Sequence, residues 1–247
     1  LDKARLAAAS GALLVIPTDT VYGIGADAAN PGAVARLLAV KGRGRQKPPP
    51  VLVADPGSID RLCADVPEAA RRLARAHWPG PLTLVLRARD GLGWDLGDTG
   101  GTIALRVPDH PGALALLRMT GPMAVTSANT TGRPPATTID QAVAYFGGAV
   151  GLYVDAGPTA SSTPSTVVAF AGGAATGRSG RTTSRPWPRS RRRAAQGKGA
   201  TPDEGLPAAH VRGDRAHSAG DATGALRVPQ VGHRAPAAQP RPAGHAH

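Results

Sequence analysis

The chain has 247 residues, of which 29 are lysine or arginine and 17 are aspartate or glutamate, and it contains one cysteine. A single cysteine excludes an internal disulfide and a cysteine-based zinc site, which is typical of proteins from a reducing compartment. No segment approaches about 18 uncharged apolar residues and no basic segment precedes a long apolar one, so we expect a soluble, cytoplasmic protein that contacts no membrane.

Hydrophobic periodicity predicts strands that alternate with helices over residues 1–170. Helices are predicted at residues 1–10, with Leu6 turned inward, and at 33–40, 59–64, 68–77, 113–119 and from 138 onward. Strands are predicted at residues 12–16, 51–53, 82–86, 102–107, 123–126, 151–154 and 166–170. Asn30 before Pro31 is typical of a helix start, and Thr138 and Gln141 have capping-box spacing. This order predicts a single α/β domain with helices flanking a central sheet, and several connections are short enough for hairpins, which favours a mixed sheet.

The sequence changes in kind at residue 171. Residues 171–247 contain 13 basic and 4 acidic side chains and lack Ile, Phe, Tyr, Met and Cys, so burial cannot offset their chain entropy. We therefore predict a disordered basic tail. Three interpretations of it are open: an arm around Arg191-Arg192-Arg193 that attracts nucleic acid, a solvated extension without a partner, and out-of-frame translation of GC-rich DNA, which the composition favours.

Several local patterns have an ordinary structural interpretation. Gly23, Gly25 and Ala28 match the loose dinucleotide pattern G-x-G-x-x-A, but six residues separate Gly23 from the preceding strand. We therefore interpret these glycines as turn residues. Cys63 is predicted to be a buried, unreactive thiol. Asp19 is interpreted as a turn residue, with the orientation of neighbouring groups as the alternative.

Small polar side chains recur where the predicted strands end, and they favour a pocket for a small polar substrate. They are Thr18 and Thr20, then Thr126, Ser127 and Asn129, and then residues 161–165. Basic residues follow the helix at 33–40 and end the strand at 102–107: Lys41, Arg43, Arg45, Lys47 and Arg106. The basic run could equally complement a helix dipole. Without a Walker-type loop or a paired nucleophile, the pattern favours catalysis by positioning and charge neutralisation.

Six blocks, in this order and approximate spacing, resemble the YrdC-like threonylcarbamoyl-AMP synthases over roughly residues 4–170. The blocks are Pro17-Thr18-Asp19-Thr20-Val21-Tyr22-Gly23, Lys41-Gly42-Arg43, Trp78-Pro79-Gly80-Pro81-Leu82-Thr83, Arg106-Val107-Pro108, Ser127-Ala128-Asn129 and Ser165-Thr166-Val167-Val168. The resemblance implies an α/β fold with a twisted sheet and a large, positively charged cavity. It also implies synthesis of L-threonylcarbamoyladenylate and pyrophosphate from L-threonine, bicarbonate and ATP with Mg²⁺, for the threonylcarbamoyladenosine modification of tRNA.

The same resemblance assigns roles to single residues. It implies that Thr20, Arg106 and Ser165 bind L-threonine and that Lys41 and Arg43 are catalytic. The implied ATP contacts are Lys41, Arg43, Lys47, Thr102, Ser127, Asn129, Thr137 and Arg178. Two positions depart from the family pattern: Ala169 replaces an acidic residue, and no apolar strand is predicted before Arg178.

The resemblance also implies partners: tRNA and the machinery that transfers the threonylcarbamoyl group. The alternative function is a non-catalytic module that binds RNA, double-stranded RNA included, through the basic cavity and tail. With only 3% aromatic residues the chain offers few base-stacking platforms, which disfavours this alternative.

Overall fold

The predicted alternation of strands and helices is confirmed in the computed structural model, which describes residues 1–170 and the backbone of residues 176–178. The helices are α1 (Asp2–Ala9), α2 (Pro31–Val40), α3 (Ser58–Leu62), α4 (Glu68–His77), α5 (Pro111–Thr120) and α6 (Ile139–Phe146), with a 3-10 turn at Gly147–Ala149. The strands are β1 (Leu14–Ile16), β2 (Gly23–Asp27), β3 (Val51–Leu52), β4 (Leu82–Arg87), β5 (Thr102–Arg106), β6 (Met123–Ser127), β7 (Leu152–Tyr153), β8 (Thr166–Ala169) and β9 (Thr176–Arg178). In the part of the chain that is described, no helix has the length and apolarity needed to span a bilayer.

The strands form one mixed sheet in the order β7-β1-β2-β6-β3-β5-β4-β8-β9. Three neighbouring pairs are parallel, namely β1 with β7, β3 with β5 and β4 with β8, and the other pairs are antiparallel. The predicted mixed sheet is therefore confirmed. The tight β1–β2 connection, residues 17–22, places its polar side chains beside the middle of the sheet.

Helices cover the two faces of the sheet unequally. The larger apolar cluster contains buried residues of α2, α3, α4 and α6, whereas the helical part of the smaller cluster comes from α1 and α5. Ala4 and Ala8 are the residues that α1 buries, while Leu6 is 59% exposed, so the prediction that Leu6 turns inward is wrong. Small side chains four residues apart let α1 lie close to the sheet, and they leave Leu6 on the outer side.

Two helix starts follow their capping signals. The Asn30 side chain accepts a hydrogen bond from the Ala33 amide at 3.0 Å, and Thr138 accepts one from the Gln141 amide at 3.4 Å. The Gln141 side chain accepts from the amide of Thr137 instead of Thr138, so the capping box closes one residue earlier than predicted.

The sheet continues past the predicted limit at residue 170. The strand β9 pairs antiparallel with β8, so that Val167 lies opposite Arg178 and Ala169 opposite Thr176. The prediction concerned an apolar strand, and the residues of β9, which are Thr176, Gly177 and Arg178, are not apolar; a strand of this composition was not predicted. Backbone pairing requires no apolar pattern, which is why hydrophobic periodicity did not detect this strand. The predicted disorder of the tail, and its three interpretations, lie outside the described residues.

The glycines of β2 are strand residues, which corrects their interpretation as a turn. Gly25 lies directly opposite Val125 of β6, and a Cβ at Gly25 would stand 2.7 Å from the Val125 Cγ2 and 2.9 Å from the Ala124 carbonyl oxygen. These distances are shorter than packed atoms tolerate, so β2 can approach β6 only because it lacks side chains here.

Gly25→Ala should therefore lower the free energy of unfolding, by about 1–3 kcal/mol, because the added methyl group has to displace backbone as well as Val125. Urea denaturation measures the change. Gly148→Ala is the matched control, because nothing lies within 4 Å of a Cβ built at Gly148. An unchanged midpoint for Gly25→Ala would contradict the close packing of β2 against β6.

Candidate active site

The loop between β1 and β2 presents two buried hydroxyl groups, those of Thr18 and Thr20. The Thr18 hydroxyl donates to the Val21 carbonyl oxygen at 2.6 Å and lies 3.0 Å from the Thr20 hydroxyl. Since a hydroxyl has one proton, Thr20 is the donor in the second contact. This short turn fixes the Thr20 hydroxyl so that it accepts a hydrogen bond from Arg106.

Arg106 ends β5 and is 6% exposed. Its Nε donates to the Gly80 carbonyl at 3.0 Å, Nη1 to the Thr20 hydroxyl at 3.2 Å, and Nη2 to the Asp19 carboxylate at 2.6 Å. Burial lowers the pKa of Arg106, and the Asp19 charge acts against that change. A guanidinium has five N–H groups, so one on each terminal nitrogen is left for a ligand.

Asp19 lies in the bend between β1 and β2, as interpreted, and it is also the partly buried partner of Arg106. Its Oδ1 accepts from Arg106 and, at 3.1 Å, from the Asp109 amide, and its side chain is 14% exposed. These contacts fix the orientation of the guanidinium. Asp19 does not line the cavity that Arg106 faces, so it binds the guanidinium on the side away from that cavity. Orientation of a neighbouring group was the alternative role considered for this residue.

A cavity of about 230 Å³, which we call the Arg106 cavity, lies over one face of the sheet. Three cross-strand pairs contribute to its lining: Gly23 with Ser127, Leu52 with Arg106, and Thr83 with Val167. Directly paired residues share one face of the sheet, so the cavity lies along that face. The pocket was predicted only at the ends of the strands. The face stays open here because α1 and α5 cover only part of it.

Two hydroxyl groups close the far side of the Arg106 cavity. Thr83 of β4 and Ser165, which precedes β8, lie 2.9 Å apart, and Thr83 is 1% exposed. The predicted residues Thr20, Arg106 and Ser165 therefore line one cavity. Thr83 was missed, although it lies in one of the six blocks, because its alternation with buried leucines in β4 is the ordinary signature of a strand.

A second cavity of about 290 Å³, the Lys41 cavity, lies where α2 and β6 end. Its lining residues are Lys41, Gly42, Arg43, Gly44, Gln46, Lys47, Thr126, Ser127, Asn129 and Thr131. Lys41 is 4% exposed, and its Nζ donates to the carbonyl oxygens of Ser127, at 2.6 Å, and of Asn129, and to the Asn129 side chain at 3.1 Å. Burial lowers the pKa of Lys41 to about 8, and the charge of Arg43 acts in the same direction.

The two cavities share a wall formed by Arg43, Thr126 and Ser127. Arg43 Nη1 donates to the Thr126 hydroxyl at 2.9 Å, and burial lowers the pKa of Arg43. Among the described residues that line the two cavities, none is an aspartate or glutamate. The arrangement can thus hold two anionic groups next to each other, one on Arg106 and one among Lys41, Arg43 and Lys47.

Two predicted ATP contacts, Thr102 and Thr137, stand apart from this arrangement. Thr102 begins β5 and Arg106 ends it, so they are about 13 Å apart along the strand, and Thr102 donates to the Thr99 carbonyl. Thr137 bonds Gln141, and neither threonine lines the two cavities. The backbone of Arg178 pairs opposite Val167, and Val167 is one of the residues that line the Arg106 cavity.

Cys63 takes no part in the site. It is 2% exposed, which confirms the predicted burial, and burial raises the pKa of its thiol to about 12, so little of the reactive thiolate forms near neutral pH.

A family model described as "Telomere recombination", for proteins labelled Sua5, YciO and YrdC, matches residues 7–180. A putative threonylcarbamoyl-AMP synthase of Mycobacterium tuberculosis (strain H37Rv) is 52% identical over 163 residues, which are 66% of this chain and 75% of that protein. The threonylcarbamoyl-AMP synthase of Bacillus subtilis (strain 168) is 40% identical over 161 residues, which are 64% of this chain and 46% of its own length.

Among solved structures, that of P. abyssi Sua5 complexed with L-threonine superposes with a TM-score of 0.66 at 35% identity. The matched region covers 71% of this chain and 53% of that one. This chain thus spans about half the length of the Sua5 protein and three quarters of the mycobacterial relative.

Proposed function

Because the chain belongs to the family that includes Sua5, YciO and YrdC, we propose that it synthesises L-threonylcarbamoyladenylate and pyrophosphate from L-threonine, bicarbonate and ATP, for threonylcarbamoyladenosine modification of tRNA. One observation carries the proposal beyond family membership. An arginine cavity suited to an amino acid and a cationic cavity suited to a triphosphate share the wall of Arg43, Thr126 and Ser127.

The amino acid binds in the Arg106 cavity. The two remaining N–H groups of Arg106 receive the α-carboxylate through charge-assisted hydrogen bonds, while Thr20 and the Thr83–Ser165 pair bind the polar groups of threonine. Leu52, Val125 and Val167 supply apolar surface for its methyl group. The surrounding positive charge lowers the pKa of the substrate amine, which favours the neutral form that attacks bicarbonate.

The triphosphate binds in the Lys41 cavity, where Lys41, Arg43, Lys47, Ser127 and Asn129 contact it. The amine nitrogen of threonine attacks the bicarbonate carbon with loss of water, which gives a carbamate. A carbamate oxygen then attacks the α-phosphorus of ATP, and the bond to the β-phosphate oxygen breaks as pyrophosphate departs. Lys41 and Arg43 stabilise the charge that develops on the pyrophosphate. Since Mg²⁺ binds phosphate oxygens readily, it enters as the complex with ATP.

The product is a mixed anhydride, whose threonylcarbamoyl group is activated for transfer. A separate transferase has to pass that group to tRNA. We propose that the chain works with such a transferase in the cytoplasm. Arg178 remains a proposed ATP contact. Binding of tRNA or of double-stranded RNA through the basic cavity and the tail stays a prediction, and the tail lies outside the described residues.

Pyrophosphate release by the purified chain tests the proposal. We expect release only when L-threonine, bicarbonate and ATP are all present, with mass-spectrometric detection of L-threonylcarbamoyladenylate. Reactions that omit one substrate at a time are the controls. Release that does not require threonine, or pyrophosphate without the adenylate product, would contradict the proposal.

A further inference from the structure

Residues 41–47 form the cationic loop of the Lys41 cavity, but one of its basic side chains faces away. Arg45 does not line the cavity, whereas Lys41, Arg43 and Lys47 do. The Arg45 guanidinium instead binds both carboxylate oxygens of Asp95, at 2.7 and 3.0 Å, and its Nε lies 3.4 Å from an Asp98 oxygen. This fork geometry fixes the direction of the side chain more strictly than a single contact would.

The backbone of Arg45 is held by the same turn. Its carbonyl oxygen accepts the Asp98 amide at 2.9 Å, and the Asp95 carboxylate also accepts the Gly97 amide at 3.1 Å. Gly97 has φ +100°, and a Cβ there would stand 2.6 Å from the Arg45 carbonyl oxygen. Residues 95–98 are therefore shaped to fit against Arg45, since only glycine permits this approach.

The turn is anchored in the core. Leu96, between the two aspartates, is 5% exposed and belongs to the larger apolar cluster. The Arg45 side chain and carbonyl group both bind the turn that Leu96 anchors in the core. These contacts also hold the cationic loop, of which Arg45 is part.

We propose that Arg45, Asp95 and Asp98 form a clasp that positions the cationic loop for the phosphates of ATP. The inference rests on the proposed function of the Lys41 cavity. Arg45 is a positioning residue, because it acts through the loop and not through the ligand. The cationic side chains of the loop repel one another when no ligand is bound. The carboxylates of Asp95 and Asp98 offset part of this repulsion, so they limit how often the loop moves away from the rest of the protein. An exposed ion pair is screened by salt, so the effect should weaken at high ionic strength.

The test measures the loop without ligand and the kinetics with it. In Asp95→Asn/Asp98→Asn, amide hydrogen exchange in residues 42–47 of the ligand-free protein should accelerate by about fivefold or more, as expected for a loop that opens more often. The KM for ATP should rise about 3–10-fold while kcat and the KM for threonine change less than about twofold. Arg45→Lys, which keeps the charge but loses the fork, should give an intermediate value.

Asp65→Asn is the matched control, since Asp65 forms a similarly exposed pair with Arg87 at 2.8 Å and asparagine also tolerates its positive φ. This variant should leave both measurements unchanged. Unaltered exchange in the double variant would overturn the clasp, whatever reaction the chain catalyses. Faster exchange with an unchanged KM for ATP would overturn the positioning role. If the wild type released no pyrophosphate while the variant still exchanged faster, the proposed function would fail and the clasp would stand.

Discussion

Arg106→Lys is expected to lower kcat/KM for L-threonine by about 100-fold while the KM for ATP stays within about twofold. Lysine keeps the positive charge beside Asp19, but it cannot reach Gly80, Thr20, Asp19 and a substrate carboxylate at the same time. Two charge-assisted hydrogen bonds to the substrate are therefore lost or weakened. Steady-state pyrophosphate release at varied threonine and ATP concentrations measures both parameters.

Lysine is a better test than alanine here, because alanine would leave the partly buried Asp19 carboxylate without its cationic partner. Removing one partner of a buried ion pair costs about 3–5 kcal/mol, so the fold itself could fail. Arg118→Lys is the matched control, since Arg118 is exposed on α5 and the same substitution should change neither parameter. If the KM for ATP rose as much as the KM for threonine, the assignment of Arg106 to the amino-acid cavity would be wrong.

The sequence predicted the site best for residues that lie in one of the six family blocks. Thr20, Arg106 and Ser165 were proposed together, and they line one cavity. Asp19 was interpreted as a turn residue because its partner is 87 positions away, and only the fold brings the two together. Gly25 was misinterpreted for the same reason, since the side chain that requires a glycine there is Val125 on another strand.

The position of a residue along its strand accounts for the remaining differences between the predicted and the observed site. Thr102 and Arg106 belong to the same strand, and five residues are enough to place them at opposite ends of it. The cavity itself could not be predicted from local patterns, because Leu52, Val125 and Val167 appear in the sequence as ordinary strand residues. Whether such a residue meets a helix or an open cavity depends on how far α1 and α5 extend over that face of the sheet.

Lys41→Met is expected to lower kcat for pyrophosphate release by about 100- to 1,000-fold, because it removes a buried cation from the position where the leaving pyrophosphate gains charge. Methionine fills most of the same volume, but it leaves the carbonyl oxygens of Ser127 and Asn129 without their donor. Urea unfolding of the variant therefore has to accompany the kinetics. Lys3→Met, an exposed substitution on α1, is the control.

The pKa of Lys41 adds a test that does not depend on substitution. Because this pKa is about 8 in the free protein, the ammonium loses its proton as the pH rises through 8, and kcat/KM for ATP should fall over the same range. The titration of Lys41 does not itself destabilise the fold over this range. The unfolded chain holds the Lys41 proton up to its ordinary pKa of 10.5, so between pH 8 and 10.5 this group makes the free energy of unfolding rise with pH.

Binding of the triphosphate should reverse the effect of burial on Lys41. An anionic ligand in the Lys41 cavity raises the pKa of the ammonium, so ATP binding at a pH just above 8 should take up a fraction of a proton. Calorimetric titrations in two buffers with different ionisation enthalpies measure this uptake. We expect it in the wild type and in Lys3→Met and not in Lys41→Met, and equal uptake in all three would show that the titrating group lies elsewhere.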